Sequence, residues 1–204
     1  MIKNIFLDLG MVTVRLCQQR CIDAFTRIGI PDVAQQISNC RQFGMFADIE
    51  VGRMSVAEFH DSVRNLYHLP LTDVQIDEAW NAFILDTPVE LQQLVFALHG
   101  RYRTFVLSNT NQIHFDYWAQ HCMGTPGGHS VDECFDKCYL SNLLHLAKPD
   151  PAIYRAVLAD SGVNPAESLY LDDNAVNVEA ARTLGFVAEV SANPEQTIER
   201  LKKL

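Results

Sequence analysis

Five short apolar runs recur along the chain, at residues 4–7, 104–107, 137–140, 168–171 and 187–190. Their hydrophobic side chains are nearly continuous and do not alternate with polar ones, as expected of strands buried on both faces of a parallel sheet. Between most of them the apolar spacing becomes helical, and the helix starts are marked by capping chemistry. Thr87-Pro88-Val89-Glu90 combines an N-cap, a proline in the first turn and a capping-box glutamate, while Asp150-Pro151 and Asn193-Pro194 pair a cap with a proline. Strands alternating with helices predict an α/β fold: a Rossmann-like parallel sheet with helices on both faces.

The alternation breaks between residues 15 and 86, where the periodicity is helical throughout. Ser55-Val56-Ala57-Glu58 and Thr72-Asp73-Val74-Gln75 are capping boxes within it. This stretch reads as a small all-helical insert, a cap on a core formed by residues 1–14 and 87–204. It begins just after the first strand, which places it over whatever binds at that edge of the sheet. Gly124 to Ser130, "GTPGGHS", reads as a surface loop.

With 204 residues, 48% of them hydrophobic, the chain can bury a full core. Its net charge of −9, with no basic cluster, argues against nucleic acid or an anionic membrane as partner. No run reaches 18 apolar residues, and the N-terminal one is short and contains Asp8, so a cytoplasmic protein is expected. The six cysteines, two pairs of them spaced four apart as neighbours on a helix would be, fit reduced structural thiols better than a zinc site. Nothing in the pattern indicates an oligomeric state.

Ligands of open α/β sheets bind beyond the carboxyl ends of the strands. The first strand ends at Asp8, the second at Ser108-Asn109-Thr110 and the fourth at Asp172-Asp173-Asn174, while Lys148-Pro149-Asp150 precedes a helix after the third. Each has an ordinary explanation as a turn former, helix cap or exposed lysine. Together they bring a carboxylate cluster, a hydroxyl and an ammonium to one sheet edge. Mutually repelling carboxylates without histidine or cysteine suit Mg²⁺. A hydroxyl, backbone N–H groups and a lysine suit a phosphate. Asp8 could then attack phosphorus.

These residues resemble the motifs of the haloacid dehalogenase-like (HAD) hydrolase superfamily, in order along nearly the whole chain. Asp8-Leu9-Gly10-Met11-Val12 resembles the nucleophile motif, "VLSNTN" ending at Asn111 the Ser/Thr motif, Lys148-Pro149 the lysine motif and "LYLDDNAVN" ending at Asn177 the acidic motif. The helical insert is similar to the C1-type cap. Within it, "FADIEVGRMSVAEF" resembles a stretch of bacterial sugar-phosphate phosphatases, the α-D-glucose-1-phosphate phosphatase group among them. The resemblance implies a Mg²⁺-dependent phosphatase acting on a small phosphorylated metabolite through an aspartyl-phosphate. Asp8 would be nucleophile and metal ligand, Gly10 a ligand through its carbonyl, Asp173 the metal-binding acid and Asp172 a direct or water-mediated contact. Ser108 and the Asn109 N–H would hold the phosphoryl group, and Lys148 would neutralise it and orient Asp8.

Gly10 departs from the family pattern, because most phosphatases of the family carry there the acid that protonates the leaving oxygen. A good leaving group such as an anomeric or acyl phosphate could dispense with it, a water or cap residue could replace it, or the protein could bind phosphate or a partner without turnover. Arg15, always protonated, suits an electrostatic contact and not an acid. Metal-independent 2-haloacid dehalogenation would also use Asp8, but would leave Asp172-Asp173 without a purpose. In the cap, His60, His68, Trp80, Phe43, Phe46 and Phe59 are candidates for the site or for core, and Glu50 with Arg53 reads as a solvated turn.

Overall fold

The chain's architecture, taken from a computed structural model that describes residues 1–37 and 43–204, places Cys40 outside the described residues. In chain order the first elements are β1 (Asn4–Leu7), α1 (Gln18–Arg27), α2 (Met45–Glu50), α3 (Val56–Tyr67), α4 (Asp73–Asn81) and α5 (Val89–Leu98). There follow β2 (Arg103–Ser108), α6 (Gln112–His121), α7 (Val131–Cys134), β3 (Lys137–Leu140), α8 (Ser141–Leu144) and α9 (Pro151–Ser161). The chain closes with β4 (Ser168–Asp172), α10 (Ala175–Thr183), β5 (Val187–Val190) and α11 (Pro194–Leu201).

The five strands form one parallel sheet in the order β3-β2-β1-β4-β5. Side chains of successive strand residues enter opposite layers, as the two-residue strand period requires. Ile5, Leu7, Val106 and Leu169 pack with Leu91, Val95, Trp118 and Ile198. Phe6, Phe105, Leu107 and Tyr170 pack on the other face with Ile153, Tyr154, Val157 and Phe186. Phe6 and Phe105 stack at 4.5 Å between ring centroids. Strand order reverses at β1, so chain segments leave β1 and its neighbours on both sides and open a crevice at their carboxyl ends.

Local signals explain most boundaries. Ser55 and Thr72 form the expected capping boxes, Asp150 accepts from the Ala152 N–H at 2.8 Å, and Asn193 from the Gln196 N–H at 2.9 Å. Thr87 departs from the expectation. Helix α5 starts at Val89 with Pro88 at the cap, and the Thr87 hydroxyl instead accepts from Trp118 Nε1 at 2.9 Å, a buried tertiary bond that outcompetes local capping. Cys134 and Cys138 are not neighbours on one helix either: Cys134 ends α7 and Cys138 lies in β3. The cysteines at 17, 21, 122, 134 and 138 are all unpaired by disulfides. Among the described residues no helix is long and apolar enough to cross a membrane.

Helices α1 to α4 enclose their own apolar cluster, with Phe25, Phe46, Phe59, Ile76 and Trp80 at its centre. The chain enters and leaves this cluster through two connectors that hydrogen-bond to each other: Arg15 N to Asp86 O, Leu85 N to Arg15 O, and Cys17 N to Phe83 O, each 2.8–2.9 Å. A second junction lies at the end of α2, where Ser141 Oγ contacts the Glu50 carbonyl and His145 Nδ1 lies 3.4 Å from Val51 O. Gly52 adopts φ +67°, and a Cβ there would meet Asn142 O and come within 2.6 Å of His145 Nδ1. Only glycine permits this approach of backbone to backbone. Gly52→Ala should therefore cost about 1–3 kcal/mol of stability, measured by urea denaturation, with the loss traced to this junction by hydrogen exchange around residues 50–53 and 141–145.

Candidate active site

The parallel register sets the site. Leu7 lies opposite both Val106 of β2 and Leu171 of β4, so Asp8 emerges level with Asp172 and one residue short of Ser108. The loop after Asp8 turns back at once: Met11 takes φ +60°, its N–H reaches Val14 O at 2.8 Å, and the Thr13 hydroxyl lies 3.0 Å from the carbonyl oxygens of both Asp8 and Leu9. Asp8 is thereby held, largely buried, in the wall of a cleft enclosing ≈ 780 Å³ of empty space that opens into solvent. Gly10, Ser108, Asn109, Thr110, Asp173, Asn174 and Asn177 contribute its polar wall.

Lys148 is the buried cation of the cluster. Its ammonium lies 2.9 Å from Asp8 Oδ1 and 2.6 Å from Asp172 Oδ2, and donates to the Leu107 carbonyl at 3.0 Å. Asn109 fixes it from behind: its Oδ1 accepts from the Lys148 N–H at 2.8 Å, and its Nδ2 donates to the Lys148 carbonyl at 2.9 Å. The Asn109 side chain is thus committed to positioning the lysine. Burial works against a charged lysine, but the charges of Asp172 and Asp8 outweigh it and raise the pKa.

Asp172 and Asp173 are adjacent in sequence but differ in surroundings. Asp172 is fully buried and accepts from Lys148, from the Tyr170 hydroxyl, from the Asn174 N–H at 2.8 Å, and from Asn177 Nδ2 at 3.0 and 3.2 Å. Burial opposes its ionisation, yet the Lys148 charge and these donors hold its carboxyl below the usual range. Asp173 lines the cleft, and burial with the nearby charges of Asp8 and Asp172 pushes it up to about 7. Asp8 is pushed up to about 6, chiefly by burial, with Lys148 opposing and Asp172 reinforcing.

Carboxylate oxygens of Asp8, Asp172 and Asp173 lie within 4.8 Å of one another. Three acids against one ammonium leave two negative charges uncompensated. Asp8 Oδ1 is buried and, although paired in charge with Lys148, lacks hydrogen-bonding geometry to any donor. An all-oxygen donor set with this charge deficit and an unsatisfied buried oxygen fits a hard divalent cation.

Several residues meet outside the sequence expectation. Glu50 is not part of a solvated turn: it lines the cleft, and burial together with the charge of Asp8 pushes its carboxyl up to about 8. Arg53 is exposed and pairs with Asp48 at 2.7 Å. His114 also lines the cleft, between Trp80 and Phe83, with Nε2 3.3 Å from the Trp80 carbonyl; burial lowers it to about 4, so it is a neutral imidazole near pH 7. Of the candidates in the helical stretch, Phe46, Phe59 and Trp80 belong to the apolar cluster of α1 to α4, and buried His60 bonds Asp77 at 2.7 Å. His68 ends α3 in a left-handed conformation, and Phe43 is exposed. Arg15 pairs with Asp86 and Glu195 outside the cleft. Glu50 and His114 carry no distinguishing local signal, although Glu50 ends an apolar helix just before a glycine.

Comparison with known proteins gives a consistent picture. The model of a family described as haloacid dehalogenase-like hydrolase matches residues 19–185. The chain is 32% identical over 186 residues to D-ribitol-5-phosphate phosphatase of Bacteroides thetaiotaomicron, covering 91% of this chain and 90% of that one. The crystal structure of a HAD family enzyme from the same organism, in complex with magnesium and inorganic phosphate, superimposes with a TM-score of 0.87 at 35% identity over 93% and 94% of the two chains. A HAD-like family hydrolase from Porphyromonas gingivalis gives 0.90 at 33% identity over 100% and 97%.

The cluster makes a stability prediction. Lys148→Met leaves Asp8 and Asp172 buried without their cation and should cost about 3–5 kcal/mol at pH 8 in urea melts. The sign follows from the acids: their charge is what becomes uncompensated, so the deficit relative to wild type should shrink as pH falls toward 5 and they take up protons.

Proposed function

The chain belongs to the haloacid dehalogenase-like hydrolases, and we propose that it is a Mg²⁺-dependent phosphatase of that family, releasing phosphate from a small phosphorylated sugar alcohol or related polyol. The observation that carries this reading is the joining, from four separate segments, of Asp8, Asp173 and Ser108 around one cleft with Lys148 buried against Asp8. Residues 15–86 act as the cap over it.

In this reading Asp8 is the nucleophile. Lys148 and the surrounding fold hold its carboxylate in the cleft wall, so attack on phosphorus costs little reorganisation. The Ser108 hydroxyl and the Asn109 N–H donate to the phosphoryl oxygens, and Lys148 offsets their charge. Asp8, the Gly10 carbonyl and Asp173 would hold Mg²⁺, with Asp172 supporting from behind, since its oxygens are engaged by protein donors. Bound there, the ion would supply charge stabilisation to the transferring group. The clustered acids favour this chemistry over dehalogenation, which needs no metal.

The relative named for ribitol 5-phosphate favours a polyol phosphate over an anomeric sugar phosphate. The cleft suits such a ligand, with polar groups at its floor and Leu16, Phe83, Ile84 and Trp118 on its walls.

Purified protein should release inorganic phosphate from D-ribitol 5-phosphate with Mg²⁺ and lose that activity in EDTA, with recovery on adding Mg²⁺. Asp8→Asn should be at least about 10³-fold slower, because the amide lacks the nucleophilic charge. Phosphate release that is equal in Asp8→Asn, or indifferent to EDTA, would overturn the reading.

A further inference from the structure

The phosphatase reading leaves one chemical task without a residue. A sugar-alcohol phosphate ester leaves as an alkoxide, a poor leaving group unless it is protonated as the P–O bond breaks. Gly10, two residues beyond Asp8, has no side chain with which to do this.

The cap brings a carboxyl to the same cleft. Glu50 is the last residue of α2 and lines the cavity together with Asp8, Gly10 and Ser108. It stands apart from the group of acids close enough to share a metal, which comprises Asp8, Asp172 and Asp173. Among the described residues no cation is paired with it; the influences on its carboxyl are burial and the negative charge of Asp8, and both favour the protonated form.

Its place over the site is imposed by the core. Ser141, which begins α8 at the end of β3, contacts the Glu50 carbonyl and accepts from the Thr110 N–H at 2.9 Å. Thr110 itself lines the cleft two residues after Ser108. One hydroxyl therefore ties the backbone that carries Glu50 to the loop that carries Ser108. Gly52 tightens the junction by letting the turn press against Asn142 and His145.

The geometry points to Glu50 as the general acid and base of the reaction, supplied by the cap in place of the side chain that Gly10 lacks. This rests on the phosphatase reading. In the first half-reaction an Asp8 oxygen bonds to phosphorus, the bond from phosphorus to the substrate oxygen breaks, and the Glu50 proton passes to that oxygen to give the alcohol. In the second, the Glu50 carboxylate takes a proton from water as the water oxygen bonds to phosphorus. The bond from phosphorus to Asp8 breaks, which releases inorganic phosphate and restores both carboxyl groups.

The role predicts a dependence on the leaving group. With Mg²⁺ present, Glu50→Gln should lower kcat/KM for D-ribitol 5-phosphate by about 10²–10⁴-fold, against less than about 10-fold for p-nitrophenyl phosphate, whose phenolate departs without a proton. Loss of the base should also leave a burst of p-nitrophenolate close to one per enzyme. Adding Gly10→Asp to Glu50→Gln should recover at least about tenfold on the ribitol ester. A Cβ at Gly10 meets only the end of the Leu16 side chain, at 3.0 Å, so the acid can be accommodated. Equal losses on both esters, or a ribitol-ester loss that Gly10→Asp does not relieve with no burst, would overturn the assignment. Wild-type rates in Glu50→Gln, with Asp8→Asn inactive, would overturn it while leaving the phosphatase reading intact. Full activity in Asp8→Asn would overturn the phosphatase reading itself.

Discussion

A single buried ammonium organises the active end of this molecule. Lys148 sits between Asp8 and Asp172, and without it two neighbouring strands could not end in carboxylates at the same level of a dry sheet. The attraction offsets desolvation only because the geometry is completed by others. Asn109 grips the lysine backbone, Leu107 accepts its third contact, and Tyr170, Asn174 and Asn177 fill the remaining positions on Asp172. The result is asymmetric: Asp172 stays charged and tied down, while Asp8 and Asp173, facing the cleft, have pKa values raised by burial. Charge left over on the cleft side is what a divalent cation and a phosphoryl group would meet.

In the proposed reading the helical insert, as cap, and the sheet core divide the chemistry between them. In that reading the sheet core offers the nucleophile, the phosphate donors and the acids for a metal, at or just beyond the ends of buried strands. The cap delivers Glu50 through a junction built from backbone groups, Ser141 and a glycine with no room for a side chain.

His114 illustrates how strongly burial governs this cleft. Its ring lies against Trp80 and Phe83 and is kept neutral, so it presents polarity without adding charge beside the acids. Trp80 in turn belongs to the apolar cluster of α1 to α4, so the wall near His114 adjoins that cluster.

Much of this could be read along the chain, and the reason is locality. Continuous apolar runs identify strands buried on both faces, and caps such as Ser55 and Asp150 act on amide groups two or three residues away, so both depend on near neighbours alone. Asp8, Ser108 and the Asp172-Asp173 pair are visible because each follows such a run directly. What the sequence could not specify was set by contacts between distant segments. Thr87 serves Trp118, 31 residues away, and not its own helix. Asp172 and Asp173 exchange exposure for burial because successive side chains on a strand end face different layers. Glu50 reads as a turn residue because nothing near it in sequence indicates its surroundings; contacts with Ser141 and its neighbours, some 91 positions later, bring it to Asp8's cleft. The chain by itself determined the strands, the caps and the chemistry delivered at strand ends, since these follow from side-chain type and short spacing. Which carboxyl is held in its charged form, which is pushed toward its protonated form and which faces the cleft was decided by tertiary structure, because burial and Coulombic interaction depend on distance in space.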